Sequence, residues 1–363
     1  MPADDRRSAH GREASPERIA PAGAEGGSGG TTSERAPSLL PSLTLPKGGG
    51  AVAGIQEKLT TNLATGTLSS TVPIPTPAGR PGFELPLDLT YDSGAGNGPF
   101  GIGWRLSVPQ ITRKTDKGLP RYAEGDVFVL SGAEDLVAID AGAAPRNDGG
   151  TLYHVGRYRP RVEGLFARIE RWVRASDGDI HWRATTRDDV VNVYGRDPKA
   201  RIADPDDAGR VFSWLLEETH DDRGNIARYT YKAEDESGID RSSVNEAHRF
   251  GGPTFRGSAQ RYIKSIEYGN AKPNDTSRFL FRVVFDYGEH DLAGPEPHEQ
   301  TRAWKPRRDR FSTHRASFEV RTYRLCERVL VFHHIDELGP SPVLVRSTDF
   351  EYERTPFFSY LIR

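Results

Sequence analysis

Cysteine, methionine and long apolar runs are nearly absent from this 363-residue sequence, which has one cysteine and, apart from the initiator, no methionine. A lone Cys326 excludes an internal disulfide framework, and its place in an apolar alternating run predicts a small buried hydrophobe. Without methionines there is no adaptable Met-lined groove. Net charge is only −2 although 28% of residues are charged, so no whole-chain field draws the protein to nucleic acid or anionic lipid. No window approaches the roughly 18 consecutive apolar residues of a membrane span. Arg6 and Arg7 suggest a twin-arginine leader, but the apolar segment of about 7 to 15 residues that must follow is missing. Synthesis in the cytoplasm, with any export by a non-classical route, is the expectation.

Large apolar side chains are also scarce in residues 1–37, which are dense in Gly, Ala, Pro, Ser and charge. Such a segment buries too little surface to offset the entropy of ordering, and a disordered tail is expected. Residues 38–363 read as one β domain dominated by period two. Phe83, Leu85, Leu87, Leu89 and Tyr91 alternate with polar residues and Pro86, which predicts an edge or bulged strand. Further strands are predicted at 127–130, 136–139, 165–172, 180–185, 190–194, 212–217, 226–232, 262–268, 279–287, 317–333 and 343–352. Asp177-Gly178 predicts a two-residue hairpin turn. Sustained helical periodicity is absent. Residues 141–150, 196–209, 233–257 and 290–310 read as long polar loops. The fold class is therefore all-β, in extended antiparallel sheets whose edges closure or a partner must cover.

Leu89 to Gly132 is the most distinctive stretch. Five glycines between Gly94 and Gly103 leave little side-chain wall, so backbone can take positive φ and approach a neighbour closely. Trp104 opens a strand, which excludes a phosphate-cradling loop, because that loop needs a helix whose N-terminal amides face the phosphate. His220 to Tyr231 reads as a hairpin: Asp221, Asp222, Gly224 and Asn225 form a tight turn, and Tyr229 and Tyr231 share a face of the outgoing strand. Weaker echoes lie at Tyr268-Gly269-Asn270 and Asp286-Tyr287-Gly288.

Other motifs carry no chemistry. His333 and His334 point to opposite faces of a strand and cannot easily share a tetrahedral ion. Asp204, Asp206 and Asp207 lack the glycine and terminal glutamate of the best-known calcium loop. No nucleophile elbow, zinc-protease or Cys/His arrangement is present. No cofactor, metal or catalytic residue is predicted.

Gly54 to Gln56, Gly66 to Pro75, Leu87 to Tyr91, Gly98 to Arg105, Pro109 to Arg113 and Asp126 to Gly132 together resemble the N-terminal domain of the SpvB family, the Salmonella virulence plasmid 65 kDa B protein. They are also similar to the opening of the B component of insecticidal Tc toxin complexes. The signature residues are Tyr91, Gly98, Gly101, Gly103, Trp104, Pro109 and Gly132. The turn with Asp222, Gly224, Asn225, Tyr229 and Tyr231 resembles the hairpin of Rhs and YD-repeat proteins. The resemblance extends to Thr355 to Leu361, so it covers nearly all of 38–363.

It implies a noncatalytic module in the wall of a hollow β-sheet shell that houses or delivers a toxic effector. The implied partners are proteins: the remaining propeller and shell of a B component, an Rhs-repeat C component with its cargo, and a pore-forming A component. It also implies a truncation at the C-terminus relative to the family. Some members carry an ADP-ribosyltransferase, and Glu234-Asp235-Glu236 and Glu351-Tyr352-Glu353 match its bare E-x-E pattern. No S-T-S strand lies ahead of either pair. A transferase built on E-x-E and a carbohydrate-binding module using Trp and Tyr stacking are the alternatives.

Overall fold

Alternating sequences separated by Gly, Asp and Asn turns form antiparallel strands almost throughout the computed structural model. The structure describes residues 60–62, 66–131, 134–139, 144–162, 166–250 and 257–363. The expected disordered tail over 1–37 lies outside the described residues, as do Gly54 to Gln56 and the signature residue Gly132.

Strands β1 (Thr60–Asn62), β2 (Thr67–Pro73), β3 (Asp88–Asp92) and β6 (Trp104–Leu106) form a small sheet in that order, and β4 (Asn97–Gly98) and β5 (Gly101–Ile102) make a short hairpin inside it. Then come β7 (Gln110–Arg113), β8 (Phe128–Leu130), β9 (Glu134–Ala138), β10 (Ala144–Asp148), β11 (Thr151–Pro160), β12 (Arg168–Arg174), β13 (Ile180–Thr185), β14 (Val191–Tyr194), β15 (Arg201–Asp204) and β16 (Asp207–His220). Eight of these pair in the order β7-β8-β9-β11-β12-β13-β14-β16, and β16 also pairs with β7, which closes a barrel.

The barrel is filled rather than hollow. Along β13, Trp182 and Ala184 enter the main core, while His181 stacks outside on Trp172. Trp182, Trp214, Phe128 and Tyr158 meet edge to face, with Phe128 4.8 Å and Tyr158 5.0 Å from Trp182. Aromatic side chains are large enough to plug a barrel of this strand number without a lumen.

The end of β16, still paired with β14 on one edge, pairs on the other with β17 (Ile226–Ala233) and so starts an open sheet that continues through β18 (Arg261–Asn270), β19 (Phe279–Asp286), β22 (Arg328–His333) and β23 (Val343–Asp349). A helix, α1 (Val244–Phe250), a hairpin of β20 (Phe311–Thr313) and β21 (Val320–Thr322), and a last hairpin of β24 (Tyr352–Arg354) and β25 (Ser359–Leu361) complete the chain. Buried Ile74, Phe83, Leu85 and Leu87 join Ile266, Tyr268, Val283 and Val331 in one core, so the N-terminal segment packs on a face of the open sheet.

Differences from the sequence expectations have local causes. The alternation from Phe83 to Tyr91 is real in burial, but only Asp88–Asp92 pairs as a strand. Before it, Pro86 interrupts the donors, and isolated bonds from Ile74 N to Leu87 O (2.8 Å) and Thr76 Oγ1 to Leu85 O (2.9 Å) take over. The predicted strand 317–333 is two strands, because between them Tyr323 N donates to the Tyr262 hydroxyl (2.9 Å) and Cys326 N to Pro99 O (2.8 Å) instead of to the backbone of a neighbouring strand. Asp177-Gly178 does lie in a hairpin, yet the loop has four residues, 175–178, closed by Arg174 N to Asp179 O at 2.8 Å, and only Gly178 takes positive φ.

Three of the four predicted loops contain structure: β10 in the first, β15 and the start of β16 in the second, and α1 in the third. The helix is anchored by tertiary bonds, since fully buried Glu246 accepts from Arg321 (2.5 Å) and from the Tyr323 hydroxyl (2.8 Å).

His181 gives the barrel a pH limit. Burial first, and then Arg183, Arg196 and Arg201, push its pKa from 6.5 down to about 3. The folded value lies below the unfolded one, so the stability of the neutral ring is complete above pH 6.5 and is lost as pH falls from there towards 3. At pH 5 the expected loss is about 2 kcal/mol. Chemical denaturation of the parent and of His181→Gln near pH 7.5 and near pH 5 checks this; equal losses in both proteins would contradict it.

Candidate functional site

The glycine-rich signature lies at the junction of the small sheet, the 290–310 segment and the last hairpin. Tyr91 on β3 pairs with Trp104 on β6, and their rings sit 5.2 Å apart. Gly103 between them has φ +80°, and a Cβ there would lie 2.5 Å from the Tyr91 ring. Gly103→Ala is therefore expected to cost about 2–3 kcal/mol through backbone strain and a displaced ring. A urea midpoint unchanged from the parent would refute it.

Gly98 and Gly101 pair across the β4–β5 hairpin, whose turn inserts Phe100 into the core against Phe285 (6.4 Å) and Phe350 (6.3 Å). At Gly101 a Cβ would lie 2.8 Å from the carbonyl oxygen of Ser359, so β25 packs directly on this glycine. Pro109 is half-buried in the three-residue link from β6 to β7 and carries the chain from the small sheet into the barrel.

Beneath the loop sits a buried ion pair. Arg307 donates to Asp309 (2.8 and 2.6 Å), to Gly98 O (2.7 Å) and to Asn97 Oδ1 (2.8 Å). Asp309 also accepts from Asn97 Nδ2 (2.9 Å) and the Ser359 hydroxyl (2.8 Å). Burial pushes the Asp309 carboxyl up, and Arg307, Asn97 and Ser359 together outweigh it and hold it below its ordinary value. The signature is thus one face of a clamp whose other members, Arg307, Asp309 and Ser359, sequence reasoning did not single out. The Arg-x-Asp spacing was the only local signal.

At the second predicted feature, Asp221 rather than Asp222 organises the turn. Its carboxylate accepts from Arg223 N (3.0 Å), Asn225 N (2.8 Å) and Asn225 Nδ2 (2.7 Å), while Asp222 is exposed. The carbonyl of Gly224 accepts from Asn270 Nδ2 at 2.9 Å, and Asn225 Oδ1 accepts from Arg80 at 3.1 Å, so the turn is tied to the neighbouring hairpin and to the N-terminal segment. Tyr229 is buried and its hydroxyl is pushed up to about 12 by desolvation; Tyr231 donates to Leu216 O at 2.7 Å.

The two E-x-E pairs lie in different settings, one buried and one exposed. Glu234 is the buried counter-ion of fully buried Arg324, which binds it through Nε (2.9 Å to Oε2) and Nη2. Glu236 is buried at φ +60°, its pKa raised by desolvation. Glu351 and Glu353 are exposed, and the Glu351 backbone pairs with Ile362 and Arg363.

His333 packs on Phe281 while His334 lines a cleft on the open sheet. Asp204 pairs with Arg210 at 2.6 Å. Among the described residues no group of three or more His, Cys, Asp or Glu could hold a metal ion. Four of the five tryptophans are buried, with only Trp104 partly accessible. Cys326 is fully buried, and desolvation holds its thiol pKa well above the ordinary value. Among the described residues no helix is long and apolar enough to cross a membrane.

A plugged barrel that opens into a sheet, with its loops pinned by buried ion pairs, defines an all-β class of domain. The chain belongs to the SpvB family: the model described as "Salmonella virulence plasmid 65kDa B protein" matches residues 62–335. It is 36% identical over 347 residues to the mono(ADP-ribosyl)transferases SpvB of Salmonella choleraesuis and Salmonella dublin, covering 89% of this chain and 56% of theirs. It therefore spans about half the length of the curated relatives it matches.

Among solved structures, it is similar to the N-terminal domain of effector protein SpvB from Salmonella typhimurium (TM-score 0.74, 36% identity, 81% of this chain and 96% of that one). It is also similar to TcdB2–TccC3 (TM-score 0.74, 35% identity) and to the Photorhabdus luminescens Tc holotoxin pore (TM-score 0.75, 35% identity). Each of these two matches covers 89% of this chain and 16% of the other.

Proposed function

We propose that residues 38–363 are a noncatalytic scaffold module of a bacterial toxin complex, forming part of the wall around a toxic effector that is housed or delivered outside the producing cell. Its partners are then the remaining propeller and shell of a B component, an Rhs-repeat C component with cargo, and a pore-forming A component. The observation that carries this reading is the asymmetry of the sheet. The barrel end is closed, whereas among the described residues β23 pairs only with β22, on one side, and exposes Val343, Leu344 and Val345. The adjoining hairpin exposes Phe357, Phe358, Tyr360 and Ile362. An uncapped apolar edge is a template for another strand, as a wall segment requires.

Hydrogen exchange on the chain alone and after mixing with a B-component remainder and its C component tests the edge. Protection of the amides of 343–349 on assembly is expected, and unchanged exchange within a formed complex would remove the edge from the interface. A second assay addresses the enzyme alternative. NAD glycohydrolysis or ADP-ribosylation by the parent, lost in Glu351→Gln or Glu353→Gln, would overturn the scaffold reading.

A further inference from the structure

Across the open sheet, Arg228 on β17, Glu267 on β18, Arg282 on β19 and Phe332 on β22 are in direct register. Residues opposite one another share a face, so they form a single transverse row on the sheet surface. Above this row passes the 290–310 segment with His298, and at its side stands the turn that leads through Arg278 into Phe279. Together they enclose a cleft of about 330 Å³.

The cleft is cationic. Three guanidiniums line it against one carboxylate, Glu267, which is bonded to Arg282. Asp336 meets Arg278 at 2.5 Å from the solvent side and is itself 81% exposed. Among the described residues the Arg228 guanidinium has no hydrogen bond or ion pair; it lies over the Phe279 ring at 5.8 Å, and its counter-charge at longer range is Glu218, opposite it on β16. His298 is pressed against Arg282, whose Nη1 is 2.6 Å from Nδ1 and 2.7 Å from Nε2. Burial and this guanidinium lower the pKa of His298, opposed by Glu267 and Glu296 and reinforced by His334.

Guanidiniums arriving from two strands and a turn surround a tetrahedral oxyanion better than a planar carboxylate. The volume exceeds what a bare phosphate fills and falls at the lower end of small-molecule sites, about 300–1,000 Å³. Phe279 and the rims at Pro297 and Pro342 supply apolar wall beside the charges.

We propose that this cleft binds the phosphoryl group of a small organic phosphate, with Arg228, Arg278 and Arg282 around the phosphoryl oxygens and the organic part against Phe279 and the two prolines. The site neither needs nor tests the scaffold reading.

Calorimetric titration of the full chain with AMP, glucose 6-phosphate and inorganic pyrophosphate, in a phosphate-free buffer, is the experiment. Saturable binding of at least one organic phosphate, tighter than pyrophosphate and weakened about tenfold or more by Arg228→Gln, is expected. The AMP and sugar-phosphate arms tell a nucleotide site from a sugar-phosphate site. Thermal unfolding of the variant, expected to match the parent, shows that the fold is retained. In the unmodified chain, the His298 ring resonances should titrate at higher pH once the ligand is bound, because the anion offsets Arg282. The proposal is overturned by no saturable binding up to about 10 mM, by pyrophosphate binding as tightly as both organic phosphates, by undiminished affinity in Arg228→Gln, or by an unchanged His298 titration.

Discussion

Asp309→Ala is expected to lower the free energy of unfolding by about 3–5 kcal/mol. The Arg307 side chain is 1% exposed, and removing its carboxylate leaves a guanidinium out of reach of water. Asn97 and Ser359 lose their acceptor in the same step. The damage is expected to be local in kind: hydrogen exchange should accelerate at 97–103 and at 352–361 and leave the barrel strands as they were. Urea denaturation supplies the magnitude. A loss below about 1 kcal/mol would mean that the pair contributes no more than an exposed ion pair.

Arg324→Ala is expected to cost a similar amount, about 3–5 kcal/mol, through a different region. Both partners are fully buried, and the guanidinium also donates to Ser237 O (3.0 Å) and to Trp304 O while lying 4.2 Å above the Trp304 ring. Without it Glu234 is a buried uncompensated charge. A companion variant, Arg324→Met with Glu234→Gln, removes both charges and should recover part of the loss. If the double variant were as unstable as the single one, lost packing on Trp304 rather than the stranded carboxylate would be the cause. Faster exchange should appear at 233–243 and 302–306, which separates this variant from the first.

Sequence periodicity located the central strands because their two faces differ in solvent. On 180–185 the predicted and observed bounds coincide, with Trp182 inside and Arg183 outside. It missed β10, Ala144–Asp148, where every residue is exposed and pairing with β11 alone defines the strand. Barrel closure was equally out of reach, since whether β14 meets β16 depends on twist and register rather than on residue type. At the signature, close approach was legible from Gly101, Gly103 and Trp104. What they approach was not: Ser359 and Arg307 are brought there only by the completed fold, and a charged pair in a polar stretch looks like solvated surface until its burial is known.

The clamp sets an order on how the molecule can be made. Asn97 reaches Asp309 across 212 positions, and Asp309 reaches Ser359 across a further 50. A nascent chain emerges from its N-terminus, so the glycine loop waits unsupported until β24 and β25 have cleared the ribosome. Pairings this remote in sequence are slow to form, and strands waiting for them are open to association with other chains. Closure of this region waits, by topology, on the hairpin that carries Ser359, and the yield of native protein depends on what shields the loop and sheet during that interval.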